Sequence, residues 1–209
     1  MFIEKTVTDF VDALASKEPV PGGGSTAALG GSLAAALVSM VCNLTIGKKG
    51  YESVDAPMGE ILHKTEALRR ELLALLESDT QVYAKVMAAY RQPRKTPEQQ
   101  QAREAAIQDA LKEAAEVPMS IAERCSRVVD LAMPAAEMGN TWAVSDAGVG
   151  VLMAEACMHA ALLNVSINLS SIRDQAYVDQ ATARMQAITA GKGDLKERVL
   201  QAVHQKIGA

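Results

Sequence analysis

Asp79 is the residue of this sequence whose type and position point most directly to chemistry. In "LLESDTQVYAKV", and in the residues before it, Leu68, Leu72, Leu75, Val82 and Val86 recur at three- and four-residue spacing, and Leu76 and Tyr83 widen the stripe. That rhythm predicts an amphipathic helix with Asp79 in its buried seam. A carboxylate taken out of water loses its hydration, so it finds a partner or raises its pKa, and a carboxyl group poised in that way can carry a proton to and from a substrate. The competing reading is an aspartate at a wet bundle end, or one bonded to a neighbouring Ser, Thr or Asn.

Other residues offer weaker chemistry. "GGGSTA", from Gly22, has the spacing of a dinucleotide-binding turn, but no strand precedes it and no Gly-Lys-Ser/Thr follows. What remains is a loop of Gly22, Gly23 and Gly24 that could take left-handed conformations, with Ser25 as a helix cap, able to cradle a carboxylate, a phosphate or a ring carbonyl. A plain tight turn is the alternative. Asn164 and Asn168, four apart in "ALLNVSINLSSI", share a helix face. Their amides could read a ligand's donors and acceptors, or bond between helices. Glu155 and His159 are also four apart, but two ligands without a third do not make a zinc site. Lys48 and Lys49 follow one helix, and Arg91, Arg94 and Lys95 follow the next. Together they could form a patch for an acidic substrate tail.

The elements that must position these groups read as helix after helix. A short helix follows Thr6 through Val7, Phe10, Val11 and Leu14. A second is expected over 25–46, a third over 57–90, a fourth from Thr96 with Pro118 kinking or dividing it, a fifth over 145–169 and a sixth over 174–191. No stretch alternates apolar and polar residues as a strand would. The expected fold is therefore all-α, a bundle of about six long helices in one domain over residues 1–209. The uncharged run from Ser25 to Ile46 is long enough to span a bilayer, but it is rich in Ala, Gly and Ser and carries Asn43, which suits the centre of a bundle or a subunit interface better. A net charge of -4 and an aromatic fraction of 3% offer nucleic acid neither attraction nor a stacking platform. Three scattered cysteines and the absence of a leader-like apolar segment fit a cytoplasmic protein with reduced thiols.

Five stretches in order, "PVPGGGSTAALGGSLAAALVSMVCNLTIGKKGYE", "LLESDTQVYAKVMAAYRQP", "AAEVPMSIAE", "GNTWAVSDAGVG" and "ALLNVSINLSSI", resemble the cyclodeaminase/cyclohydrolase family of folate enzymes. The resemblance covers nearly the whole chain. It implies an all-helical dimer with a folate site lined by the glycine loop and the long helices, and a catalytic aspartate at Asp79. Tyr83 stands where the family usually has Phe, Glu77 where a second Asp is common, and "RQPRK" replaces a more usual "RLPK". On a folate reading, Gly22, Gly23, Gly24 and Ser25 are expected to position the pterin or glutamyl end, Tyr83, Asn164 and Asn168 to line the site, and Lys48 and Arg91, in the basic clusters, to attract the glutamate carboxylates. The expected activity is that of a methenyltetrahydrofolate cyclohydrolase, with formimidoyltetrahydrofolate cyclodeaminase and a non-catalytic folate-binding protein as alternatives. A folate derivative is the expected substrate, with no metal or redox cofactor, a homodimer as the assembly, and neither nucleic acid nor membrane as a partner.

Overall fold

The computed structural model describes residues 1–208 as helices and short connections. Seven α-helices follow one another: α1 (Val7–Leu14), α2 (Gly23–Asn43), α3 (Asp55–Tyr90), α4 (Pro97–Met138), α5 (Val144–Leu169), α6 (Gln175–Thr189) and α7 (Lys192–Ile207). Six are long, and α1 is a single short piece capped by Thr6, whose hydroxyl accepts from the Asp9 backbone N–H. The expected bundle is what forms, with two differences in the elements. The stretch after Gly191 forms α7, which the sequence reading did not delineate. Val199 and Val203 are its only buried side chains, too few to write a strong apolar rhythm. Gly191 adopts φ 71°, the left-handed conformation that lets α6 end and α7 begin with only two residues between them. Pro118 does not divide α4, which runs unbroken for 42 residues through both Pro118 and Pro134.

Helices α2, α3, α4 and α5 form an up-down-up-down square, each neighbour antiparallel to the last. Ser39 of α2 bonds Thr65 of α3, Arg124 of α4 bonds Glu71 of α3, and Asn168 of α5 reaches Ala114 of α4. The small residues of helix α2 let its neighbours close in on it. A Cβ at Gly30 would lie 2.5 Å from the Cys157 sulfur and one at Gly31 2.5 Å from the Cys125 sulfur. By length and hydropathy α2 and α5 both qualify as membrane spans, yet 61% of the α2 window is buried inside the protein, as a bundle-centre helix requires. Helices α6 and α7 pack along the outside of α4, tied by Arg184 to Glu116 and Glu123 and by Lys192 to Asp130.

The four central helices differ in length. Helix α2 has 21 residues, whereas α3 has 36 and α4 has 42. At one end of the square, α3, α4 and α5 therefore rise past the point where α2 begins, and the N-terminus of α2 becomes the floor of a cleft.

Candidate active site

The floor of that cleft is the glycine segment. Gly22 is the N-cap of α2 and lends it no side-chain bond, so the first N–H groups of the helix point into the cleft with the positive end of the helix dipole. None of the three glycines adopts a positive φ. Their need is for an absent side chain rather than for a left-handed backbone. A Cβ on Gly24 would lie 2.2 Å from Asp79 Oδ1, and one on Gly23 3.2 Å from the Asn164 amide nitrogen. Ser25 is likewise not a cap. It is the third residue of α2, fully buried, and its hydroxyl donates to Asp79 Oδ2 at 2.7 Å.

Asp79 stands on the α3 wall, directly above that floor. Burial pushes its pKa above the ordinary carboxylate value, while the Ser25 hydroxyl and backbone N–H oppose the shift by stabilising the anion. The net direction is upward. This is the environment a carboxyl group needs to work as a base and then an acid: dry enough to hold a proton, yet held by donors that keep the anion accessible. Asp79 is thus bonded to a serine, as one reading of its seam position had it, and it also lines the cleft.

The cleft has a volume of about 340 Å³. Val82, Tyr83 and Val86 continue the α3 wall, Ala114 and Pro118 form the α4 wall, Asn164, Ile167 and Asn168 form the α5 wall, and Pro19 and Val20 close the rim beside Gly22. The structure therefore brings Gly22, Gly23, Gly24, Asp79, Tyr83, Asn164 and Asn168 to one cavity, with Ser25 beneath it. The family model for formiminotransferase-cyclodeaminase matches residues 6–187, a span that contains every one of these groups. The chain belongs to that family.

Its similarity to individual members extends over most of the chain. It is 44% identical to the methenyltetrahydrofolate cyclohydrolase of Methylorubrum extorquens, over 97% of this chain and 98% of that protein. It is 35% identical to the formimidoyltransferase-cyclodeaminase of Gallus gallus over 84% of this chain, and there the matched segment is about a third (32%) of the relative's length. Among solved structures, the formiminotetrahydrofolate cyclodeaminase of Thermotoga maritima superposes with a TM-score of 0.88 at 30% identity, covering 98% of each chain.

Two expected members of the site lie elsewhere. Because α2 and α3 are antiparallel, the residues after α2 and those after α3 fall at opposite ends of the bundle, so the two basic clusters form no common patch. Lys48 follows the C-terminus of α2, about 30 Å along that helix from the glycine floor. Arg91 caps α3 at the cleft end, but about 18 Å beyond Asp79 along the helix axis, exposed and outside the cavity lining. Glu77 also faces away, accepting the Ile3 backbone N–H at 2.8 Å and tying the N-terminal segment to α3. His159 and Glu155 make a 3.7 Å pair that Lys196 shares, and no group of three His, Cys, Asp or Glu side chains among the described residues is arranged to hold a metal. The contribution that sequence reasoning missed is that of α4. Ala114 and Pro118 gave no functional signal, since one looks like a core alanine and the other like a kink.

Proposed function

We propose that this chain is a methenyltetrahydrofolate cyclohydrolase, converting 5,10-methenyltetrahydrofolate and water to 10-formyltetrahydrofolate, and that it works as one helical domain. The observation that carries the reading is the Asp79 carboxyl group, poised by burial and by Ser25 at the wall of the cleft. Near-complete two-way coverage of a relative named as that enzyme supports the choice of reaction. Asp79 takes a proton from a water molecule as its oxygen bonds to the amidinium carbon, leaving a neutral tetrahedral carbinolamine. The C–N5 bond then breaks, Asp79 returns its proton to N5, and the hydroxyl proton leaves to solvent as the formyl group forms on N10. The amidinium carbon is already electrophilic, so the step needs no metal or redox cofactor. Dialysis against a chelator should leave kcat unchanged.

The formimidoyl reading differs only in the attacking and leaving groups, N10 and ammonia, at the same carbon. Its specific support is the close superposition on the Thermotoga maritima cyclodeaminase. Supplying methenyl- and formimidoyl-tetrahydrofolate separately, while following absorbance and ammonia, decides between them. Loss of the methenyl chromophore without ammonia from either substrate is the expected result. Turnover should also carry the signature of Asp79. Because the ionised form is the base and its pKa is raised, kcat/KM should fall with decreasing pH along a limb that lies above the ordinary carboxylate range. A profile flat down to pH 4 would contradict that assignment.

The chain is further proposed to be a cytoplasmic homodimer. Its free thiols suit a reducing compartment. Leu33 and Met40 on α2, and Val149, Leu152, Leu163 and Ile167 on the neighbouring α5, are exposed at helical spacing, and Trp142 in the turn before α5 is 89% exposed. An apolar surface of that kind is expected to be covered by an identical copy. Sedimentation should give twice the 22.2 kDa chain mass, and Leu163→Glu should return the protein to the monomer. A wild-type mass of one chain at micromolar concentration would overturn the dimer.

A further inference from the structure

A proline in the middle of α4 leaves one backbone carbonyl of the cleft wall without its helical partner. In an uninterrupted helix the N–H of residue 118 would donate to the C=O of Ala114, but proline has no N–H. Asn168 fills the gap: its Nδ2 donates to Ala114 O at 3.1 Å and to Asn164 O at 2.8 Å. Both partners are carbonyls, which only accept, so the amide nitrogen must face them and Oδ1 must face the other way. No side-chain nitrogen or oxygen among the described residues is both buried and unpartnered. The Asn168 Oδ1 accepts nothing from the protein and is therefore open to solvent, and Asn168 lines the cleft together with Ala114 and Pro118. Asn164 repeats the arrangement one turn earlier, its Nδ2 donating to Ala160 O at 2.9 Å.

The cleft is consequently two-sided. Its floor presents donors, the free N–H groups of α2, whereas its α4–α5 wall presents an acceptor held in one orientation. We propose that Asn168 is a specificity-determining residue that accepts an N–H from the aminopyrimidine edge of a reduced pterin, and that Pro118 is the positioning residue that turns its amide to do so. This rests on the folate reading above and assigns the ring end of the substrate to the α4–α5 wall. A 2-amino-4-oxopyrimidine ring carries N3–H and the 2-amino group side by side, donors that match such an acceptor. A carboxylate or formyl oxygen brought to the same place would meet another lone pair. Because the ring is held alike before and during the reaction at the distant carbon, the contact acts on binding more than on the chemical step.

The test uses the full chain, methenyltetrahydrofolate as substrate, and p-aminobenzoylglutamate as a probe that lacks the pterin. Asn168→Ala should raise KM about tenfold while kcat changes by less than about threefold, as expected for loss of one hydrogen bond that positions the ring. Pro118→Ala restores an N–H for Ala114 and releases the Asn168 amide. It should raise KM to a similar extent without lowering the melting temperature, since alanine is the better helix former. The double variant should be no worse than Asn168→Ala alone, and the Kd of p-aminobenzoylglutamate should not move. Additive effects on KM, or a Pro118→Ala variant altered only in stability, overturn the positioning role. Equal weakening of the probe overturns the ring assignment in favour of the tail amide. Should Pro118→Ala fail to fold, Asn168→Ala measured with the two ligands decides alone. A wild-type chain that converts neither methenyl- nor formimidoyl-tetrahydrofolate overturns the folate reading and this proposal together, whereas an active wild type with Asn168→Ala at wild-type KM overturns this proposal only.

Discussion

Asp79→Asn should lower kcat for methenyltetrahydrofolate by about 10²–10⁴-fold, the range for removal of a positioned acid–base group. Asparagine keeps the size of the side chain and an oxygen for the Ser25 hydroxyl, which now donates at 2.7 Å, but it cannot carry the proton. Folate affinity should change little. Stability should move in the opposite direction from activity. Burial raises the folded-state pKa of Asp79 above its unfolded value, so its contribution to stability is fully present below the unfolded pKa and is lost as pH rises through the folded one. Above the folded-state pKa the ionised carboxylate is then a net cost to the fold, and there the variant's melting temperature should equal or exceed that of wild type, with the gap closing as pH is lowered. A kcat within threefold of wild type, or a large loss of stability at neutral pH, would mark Asp79 as a structural carboxylate.

Gly24→Ala should be nearly as damaging to turnover, through geometry alone. The added methyl would lie 2.2 Å from Oδ1, 2.7 Å from Cγ and 2.9 Å from Oδ2 of Asp79, so the carboxyl group must move off the Ser25 hydroxyl. A catalytic group displaced by about 1 Å costs on the order of 10²-fold in rate. The backbone itself has no objection, because Gly24 is helical with negative φ, and replacing glycine by alanine in a helix stiffens the unfolded chain and favours the fold. The melting temperature should therefore hold while kcat falls. Gly59→Ala on α3, where a Cβ meets nothing within 4 Å, provides the comparison that separates a helix effect from a site effect. Equal activity in the two variants would mean that the Asp79 side chain can move aside freely.

The parts of this site that a helix periodicity can carry were legible in the sequence. Asp79 interrupts an apolar stripe, and Asn164 and Asn168 share a face at a spacing of four, so each announces itself within its own element. What the sequence hid were relations between elements. Ser25 reads as a cap because a serine after glycines commonly is one, and its partner 54 residues away leaves no local trace. The basic residues after α2 and α3 read as one patch because they occupy equivalent places in their own helices, yet an antiparallel pair sends equivalent ends apart. Pro118 reads as a breaker, since its effect on Ala114 becomes visible only when Asn168 arrives from another helix. The left-handed reading of the glycines failed for the same reason: the pressure on Gly24 comes from α3, not from its own backbone.

The cleft has no local fragment. Its floor comes from residues in the twenties, its carboxylate from 79, its α4 wall from 114 and 118, and its α5 wall from the 160s, so the shortest stretch of chain that contains one of each is most of the molecule. Each contact across it closes a long loop, and long loops are the slow and entropically costly part of assembling a fold. Helix content can therefore return early when the denatured chain is diluted into buffer, since each helix is built from neighbours, while catalysis can return only when α2 has docked between α3 and α5. Enzymatic activity is therefore expected to return later than the circular dichroism signal on refolding. The interval between them should measure the assembly of the four central helices around the cleft.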